Sequence, residues 1–331
     1  MRAVLISEPG EFGLEELPDP TPRPGEVVVA PDGCGICGTD LHILAGEVPF
    51  THYPIVPGHE FAGEVVAVGK GVDNVRIGDV VAVEPSLFCG RCRPCRTGRE
   101  NLCENFDSIG VGAQNGACAE FVAVPAHKAF VLPESMPRAW GSLVEPVSCV
   151  VHGFDMLDSR LGDHVLIYGA GTIGLILAGI ASHLGAGSVS VVDTNEARLG
   201  RAGEMGADAV ATTPAELDRP EGWDAVIDAT GSVAAIEDAI GRTSRGGTVL
   251  LFGVAPDKAQ ARFSPFRVYN EELRIIGSMA IRHSFERALL LMGRGVVNGD
   301  LLLTHRFGLA DYGDALDTFR SGAGLKLTIV P

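Results

Sequence analysis

The chain has 331 residues, about twice the ~150 of a typical domain, so one core is not expected to hold it. Apolar residues at 46% and charged residues at 21% exclude disordered, collagen-like and coiled-coil classes. Lys and Arg number 26 against 42 Asp and Glu; the net charge of −16 repels phosphate backbones and anionic headgroups, so neither nucleic acid nor a membrane is an expected partner.

Met1 to Gly13 carries acidic residues and no apolar run of signal-peptide length, which points to the cytoplasm. From there to about residue 150 the chain shows short Val-rich runs broken by Gly and Pro: Glu26 to Ala30, Gly63 to Val68, Asp79 to Val83 and Phe121 to Val124. This punctuation predicts a β-barrel or sandwich. From about Gly162 the period changes. Strand-like Val165 to Tyr168, Ser188 to Val192, Ala225 to Ile227 and Thr248 to Phe252 alternate with helical Ile173 to Leu184, Ala197 to Met205 and Val233 to Ile240. Such alternation predicts a doubly wound parallel sheet.

Val165 to Val192 lacks Asp, Glu, Lys and Arg and is long enough to span a bilayer, but six glycines punctuate it, so a strand, helix and strand are expected instead. Beyond Gly277 follow helical Ser284 to Gly293 and Ala310 to Arg320 and a strand, Leu325 to Val330. This tail is too small to stand alone and is expected to return to the N-terminal domain. The predicted domains are 1–150, completed by 281–331, and 151–280.

Eight cysteines in a reducing cytosol point to metal rather than disulfides. Cys89, Cys92, Cys95 and Cys103 lie within fifteen residues, with Gly90, Pro94 and Gly98 supplying turns. Four thiolates so spaced can close a tetrahedral shell around a structural zinc, an iron–sulfur cluster being the rival. A second set is mixed: Cys37 in CGTDLH, His59 and Glu60 in PGHE, and Glu145 in VEPVSC. One Cys, one His and a carboxylate are what a catalytic zinc with an open position uses. Cys34 and Cys149 are spare thiols, and by spacing Cys149 could replace Glu145.

Gly169-Ala-Gly171-Thr-Ile-Gly174 follows the strand Val165 to Tyr168 and opens a helix, and Asp193 closes the next strand. The glycines permit the turn and the approach of a pyrophosphate to the helix N-terminus, and the Asp193 carboxylate can accept from both ribose hydroxyls. It would repel a 2′-phosphate, which favours NAD over NADP.

Taken together, CGTDLH, VPGHEFAGEV, GDVVAVEP, the four-cysteine lobe, the glycine fingerprint and the DATG string at Asp228 to Gly231 resemble, in order, the zinc-dependent medium-chain dehydrogenase/reductase family over essentially the whole chain. Glu145-Pro146 resembles its polyol (sorbitol-type), threonine and sugar dehydrogenase branch, where Glu stands in place of a Cys ligand. The resemblance implies an α/β chain with a GroES-like β-rich catalytic domain and a Rossmann domain, NAD and two zinc ions per chain, and a homodimer or homotetramer. It implies that Cys37 and His59 bind the catalytic zinc, with Glu145 binding directly or through water and Glu60 as an alternating ligand, and that Asp40 supports the ligands. It also implies that Ile173, Asp193 and Arg198 contact the cofactor, that Phe252, Gly253 and Val254 line its nicotinamide end, and that Thr39 and His42 relay a proton. Sorbitol-type enzymes carry an aromatic after that His and an Arg-Tyr pair; Ile43 and Ala280-Ile281 stand here instead, with Arg282 close by. The expected reaction is zinc-assisted hydride transfer between NAD and a secondary alcohol of a polyol, cyclitol or sugar-like substrate. The alternatives are an amino alcohol such as threonine, or a catalytically silent zinc and nucleotide-binding protein.

Overall fold

A computed structural model describes all residues, Met1–Pro331, as two compact units. The first unit comprises Met1–Ser148, Ile281–Gly295 and Gly299–Pro331; the second comprises Cys149–Ala280 and Val296–Asn298.

The first unit opens with a hairpin of β1 (Arg2–Glu8) and β2 (Glu11–Glu16). Its backbone is β3 (Glu26–Ile36), whose valines at 27, 28 and 29 are all buried. Pro31 lacks a ladder donor and sits where the register with the next strand shifts, the position a central strand can tolerate it. The short helix α1 (Gly38–Leu44) follows, then β4 (Glu60–Val68), β5 (Val80–Val83), β6 (Ser86–Leu87), helix α2 (Arg93–Arg96), β7 (Asp107–Ser108), β8 (Val122–Pro125) and β9 (Ala129–Val131). Helix α3 (Val144–Leu157) carries the chain from the first unit into the second.

The second unit contains β10 (His164–Tyr168), α4 (Thr172–His183), β11 (Ser188–Val192), α5 (Glu196–Leu199), β12 (Ala209–Ala211), β13 (Trp223–Asp228), α6 (Val233–Arg242), β14 (Thr243–Leu251), α7 (Pro265–Asn270) and β15 (Arg274–Gly277). Its six strands are all parallel, in the order β12-β11-β10-β13-β14-β15. This is the doubly wound Rossmann order, whose reversal point lies between β10 and β13. Eight consecutive residues of α4, Gly174 to Ala181, are buried, so the helix is apolar all round. That explains the uncharged stretch from Val165 to Val192: it is a strand, a buried helix and a strand. No helix of the chain is long and apolar enough to cross a membrane.

The chain then returns to the first unit through α8 (Phe285–Gly293), α9 (Gly299–Leu302), β16 (Leu303–Gly308), α10 (Tyr312–Ser321) and β17 (Lys326–Val330). There β17 pairs antiparallel with β3 and parallel with β16, in a seven-stranded sheet that continues through β4, β5 and β9, with β8 against β3. Helix α10 closes one side of the core with Tyr312, Ala315 and Leu316.

One expected helix is corrected. Ala197 to Met205 is helical only as far as Leu199, and tight turns follow, such as Ala202 N–H to Leu199 O at 3.0 Å. Gly200 and Gly203 interrupt it, each costing a helix about 1 kcal/mol relative to Ala.

Candidate active site and cofactor loop

The four cysteines 89, 92, 95 and 103 converge, with their sulfurs within 4.8 Å of one another. Sulfurs bound to one tetrahedral zinc at about 2.3 Å stand about 3.8 Å apart. Cys92 Sγ lies 3.4 Å from Cys95 Sγ and 3.8 Å from Cys103 Sγ, so the lobe fits a single ion with little movement. A multi-iron cluster needs its cysteines farther apart and does not fit. Backbone amides already serve the thiolates: Cys92 N–H donates to Cys89 Sγ at 3.4 Å, and the Cys89 and Asn105 N–H groups donate to Cys103 Sγ at 3.3 Å. The amides of Arg91 and Cys92 hold the Cys89 thiol down at about 6, whereas burial pushes Cys95 up to about 12.

The mixed set is built around α1. Cys37 is its N-cap: the Thr39 N–H donates to Cys37 Sγ at 3.3 Å, and the Cys37 N–H donates to Asp40 Oδ2 at 3.0 Å. A sulfur in the usual place of a capping oxygen is thereby aimed. Across from it, Gly58 takes a left-handed φ of 103°, and a Cβ there would lie 2.6 Å from Cys34 Sγ. Only glycine fits the turn that delivers His59. The His59 ring turns Nε2 toward Cys37 Sγ at 3.2 Å and Nδ1 toward Asp40 Oδ1 at 3.9 Å. Sulfur and nitrogen on one tetrahedral zinc are about 3.5 Å apart, so this pair also fits an ion.

Carboxylate oxygens of Glu60, the first residue of β4, and Glu145, in the first turn of α3, come within 4.8 Å of each other and of a His59 ring nitrogen. Acidic groups dominate the surroundings of the His59 ring. Burial works against a charged His59 ring, yet Cys37, Asp40 and Glu145 outweigh it and hold the histidine pKa well above its ordinary value. Burial also pushes the Asp40 carboxyl up. A cluster that raises its histidine in this way is one that favours a cation.

One participant was absent from the sequence reading. Lys326, only 3% exposed, comes up from β17 and donates from Nζ to Glu60 Oε2 and, at 3.1 Å, to Ile36 O. Gly35 leaves room for the pair, because a Cβ there would stand 2.3 Å from Glu60 Oε2. A lysine within the apolar run Leu325 to Val330 was the available signal, since a buried ammonium needs a carboxylate. Cys34 is fully buried, and burial together with Cys118 pushes its thiol well up, so it stays protonated beneath the site.

Thr39 and His42 both lie on α1, and His42, in its last turn, pairs through Nδ1 with Glu47 Oε2 at 2.6 Å.

In the second unit the glycine loop follows β10 at the reversal point of the sheet. Gly169 has φ 101°, and a Cβ on Gly174 would lie 1.7 Å from Gly169 O, so the loop and α4 pack without side chains. A Cβ on Gly171 would meet nothing within 4 Å. That vacant approach at an α4 N-terminus without a side-chain cap fits a pyrophosphate. The Asp193 carboxylate accepts from Ala170 N–H at 2.7 Å and Asn195 N–H at 2.8 Å, which ties it to the loop and leaves lone pairs for ribose hydroxyls. Buried Asp228 accepts from the Thr230 hydroxyl at 2.6 Å and the Gly231 N–H at 3.0 Å, and its carbonyl receives Phe252 and Gly253 N–H. The DATG string is thus a turn that fixes the Phe252-Gly253-Val254 loop, where Val254 is 80% exposed. Ile173 lies half-buried in the first turn of α4, and Arg198 lies on α5. Ile281 is buried.

This pairing of a β-rich metal-binding unit with a Rossmann unit defines a zinc-dependent dehydrogenase. Residues 23–134 match the alcohol dehydrogenase GroES-like domain, and residues 172–294 match the zinc-binding dehydrogenase domain. D-arabinitol dehydrogenase 1 of Uromyces fabae is 34% identical over 343 aligned positions, covering 100% of this chain and 97% of its own length. L-threonine 3-dehydrogenase of Saccharopolyspora erythraea is 36% identical, covering 97% and 96%. The crystal structure of a zinc-binding dehydrogenase from Sinorhizobium meliloti bound to NADP superposes with a TM-score of 0.95 at 32% identity, covering 100% and 99%. The chain belongs to the zinc-dependent medium-chain dehydrogenase/reductase family, in its polyol and threonine dehydrogenase branch. It is an oxidoreductase acting on CH–OH groups.

Proposed function

We propose that the enzyme uses NAD and two zinc ions per chain to exchange a hydride with a secondary hydroxyl of a polyol, cyclitol or sugar-like substrate. The carrying observation is the contrast between two donor sets. Four thiolates form a closed lobe, whereas one sulfur, one imidazole and two carboxylates gather about His59, a mixed donor set of the kind a catalytic zinc with an open position uses. When bound, zinc favours loss of the hydroxyl proton and the nicotinamide takes the hydride.

The remaining work falls to the chain. Cys37, His59 and Glu145 hold the catalytic ion, with Asp40 orienting His59 and Lys326 holding Glu60 in reserve as an alternating ligand. Cys149 is left out of this assignment. Thr39, whose hydroxyl both donates and accepts, takes the hydroxyl proton, and His42 delivers it toward solvent. The glycine loop, Ile173, Arg198 and the loop from Phe252 to Val254 seat the dinucleotide, and Asp193 accepts from its ribose.

The preference for NAD rests on the Asp193 charge, and the Sinorhizobium meliloti neighbour solved with NADP makes a direct comparison of both cofactors necessary. The polyol class is supported by the Glu145 ligand pattern and by the arabinitol dehydrogenase relative. Ile43 and Ile281, in place of polar or aromatic groups, argue against sorbitol itself. We also place the enzyme in the cytoplasm as a homodimer or homotetramer, without a nucleic-acid or membrane partner.

The test is the absorbance of reduced nicotinamide across a panel of pentitols, hexitols, cyclitols, diols, simple alcohols and L-threonine, with NAD and NADP in parallel. Turnover should be greatest for a polyol or cyclitol with NAD. Turnover confined to L-threonine, or to NADP, overturns the corresponding half of the reading.

A further inference from the structure

The end of α1 is shaped to bring one acid onto His42. The helix stops at Ala45, Gly46 takes a left-handed φ of 73°, and the next residue turns back so that Glu47 N–H donates to His42 O at 2.9 Å. Pro9 packs where a side chain on Gly46 would begin, at 3.0 Å from the Cβ position, so the reversal is held from outside the helix as well. The result is the 2.6 Å contact between His42 Nδ1 and Glu47 Oε2.

This contact is poorly placed to stabilise the fold. The two side chains are 45% and 61% exposed, and exposed ion pairs contribute at most about 1 kcal/mol. Its chemical consequence is more definite. An ionised carboxylate can only accept, so the proton in this hydrogen bond must sit on Nδ1. A neutral imidazole has a single N–H, so Nε2 is then left as a bare acceptor. Free imidazole side chains favour the opposite tautomer, with the proton on Nε2, in which that nitrogen cannot accept.

We propose that Glu47 is a positioning residue that fixes His42 in the Nδ1–H tautomer and so keeps Nε2 ready to receive the proton released when the alcohol is oxidised. This rests on the relay reading of His42 given above. In the oxidation direction the alcohol loses a hydride to the nicotinamide and a proton to the relay. The proton arriving at Nε2 makes an imidazolium whose Nδ1–H stays bonded to Glu47, and the Nε2 proton then passes to water, restoring the ring. Glu47 is never protonated in this cycle, and it touches neither substrate nor cofactor.

Two measurements on the zinc-loaded full chain test this. Nitrogen-15 NMR of the His42 ring in the resting protein should show Nδ1 protonated and Nε2 bare, with Glu47→Ala moving the population toward the Nε2–H form and Glu47→Gln, which keeps an acceptor oxygen, moving it less. In steady state, Glu47→Ala should lower kcat for alcohol oxidation several-fold with KM for the alcohol unchanged, less than the roughly hundredfold expected of His42→Ala. In a His42→Ala background the Glu47 substitutions should cause no further loss, because their only route is the ring.

A resting Nε2–H tautomer, or an equal fractional loss from Glu47→Ala with and without His42, overturns the inference. If His42→Ala turns over normally, the relay reading beneath it fails, and only the NMR result then bears on the hold of Glu47 over the ring.

Discussion

Lys326, from the last strand of the chain, lies buried against the carboxylate of Glu60, 266 positions earlier. Burial alone would lower the ammonium pKa, but Glu60, with Cys37 and Glu145, outweighs it and the net shift is upward, so Lys326 keeps its charge across the neutral range. Removing one member of a buried pair strands the other. Lys326→Met should therefore destabilise the zinc-loaded protein by about 3–5 kcal/mol in urea unfolding, and Lys326→Met with Glu60→Gln should recover most of the loss. Equal stability of the single variant and the parent would show that Glu60 has another partner.

The cysteine lobe should be readable by alkylation once its metal is stripped under denaturant-free conditions. With Cys89 held down at about 6 by amides and Cys95 pushed up to about 12 by burial, iodoacetamide at pH 7 should label Cys89 first and Cys95 last, as followed by peptide mass spectrometry. Below about pH 6 the advantage of Cys89 should fade as its thiolate is protonated. Before stripping, all four should be protected, and metal analysis should find two zinc ions per chain. One ion per chain, or labelling of the lobe in the loaded protein, contradicts the assignment.

The choice of Glu145 over Cys149 separates the polyol pattern from that of classical alcohol dehydrogenases. Glu145→Ala should abolish most turnover and lower zinc content from two ions toward one, whereas Cys149→Ser should leave both largely intact. The comparison of zinc content decides it even if Glu145→Ala also loses some stability.

Much of this architecture could be read from residue patterns, for identifiable reasons. Strands β10 and β13 are buried on both faces of a parallel sheet and therefore show unbroken apolar stretches at Val165 to Tyr168 and Ala225 to Ile227, while β11 is marked by its valines at 189, 191 and 192. The edge strands β12 and β15 did not stand out: Ala209–Ala211 is very short, and Arg274–Gly277 has exposed ends and no apolar stripe. Metal-capable residues were legible because Cys and His are rare and their spacing is informative. Lys326 and Glu47 were not, because each acts through a partner that only the folded chain reveals: one across a sheet, the other through a reversal at a helix end.

Cofactor choice turns on one carboxylate. Asp193→Ala removes both the acceptor for the ribose hydroxyls and the charge that opposes a 2′-phosphate, so KM for NAD should rise at least tenfold while discrimination against NADP falls. Because Asp193 also holds the Ala170 amide, Asp193→Asn is the cleaner variant: its carbonyl can keep one of these bonds while the charge is lost. A parent enzyme that already prefers NADP would show that the Asp193 charge does not set cofactor choice.

The glycine loop gives the sharpest contrast, because two of its glycines look alike in sequence and differ in what surrounds them. A methyl at Gly174 would lie 1.7 Å from the carbonyl oxygen of Gly169, a backbone atom that cannot swing aside, and α4 is too deeply buried to move away. Gly174→Ala should therefore behave as an overpacked core substitution, costing about 1–3 kcal/mol or more and weakening the fold of the second unit. Gly171 is different. Its φ of −72° is ordinary for any residue, and a Cβ there meets nothing within 4 Å. Gly171→Ala should leave thermal stability unchanged or slightly raised, since alanine restricts the unfolded chain more than glycine does. The same methyl would occupy the approach through which a pyrophosphate reaches the α4 N-terminus, so dinucleotide affinity should fall tenfold or more with the fold intact. Calorimetric melting and a binding titration with NAD, run on both variants, separate the two roles. A Gly171→Ala protein that binds dinucleotide as tightly as the parent would show that the phosphates are held elsewhere on the unit.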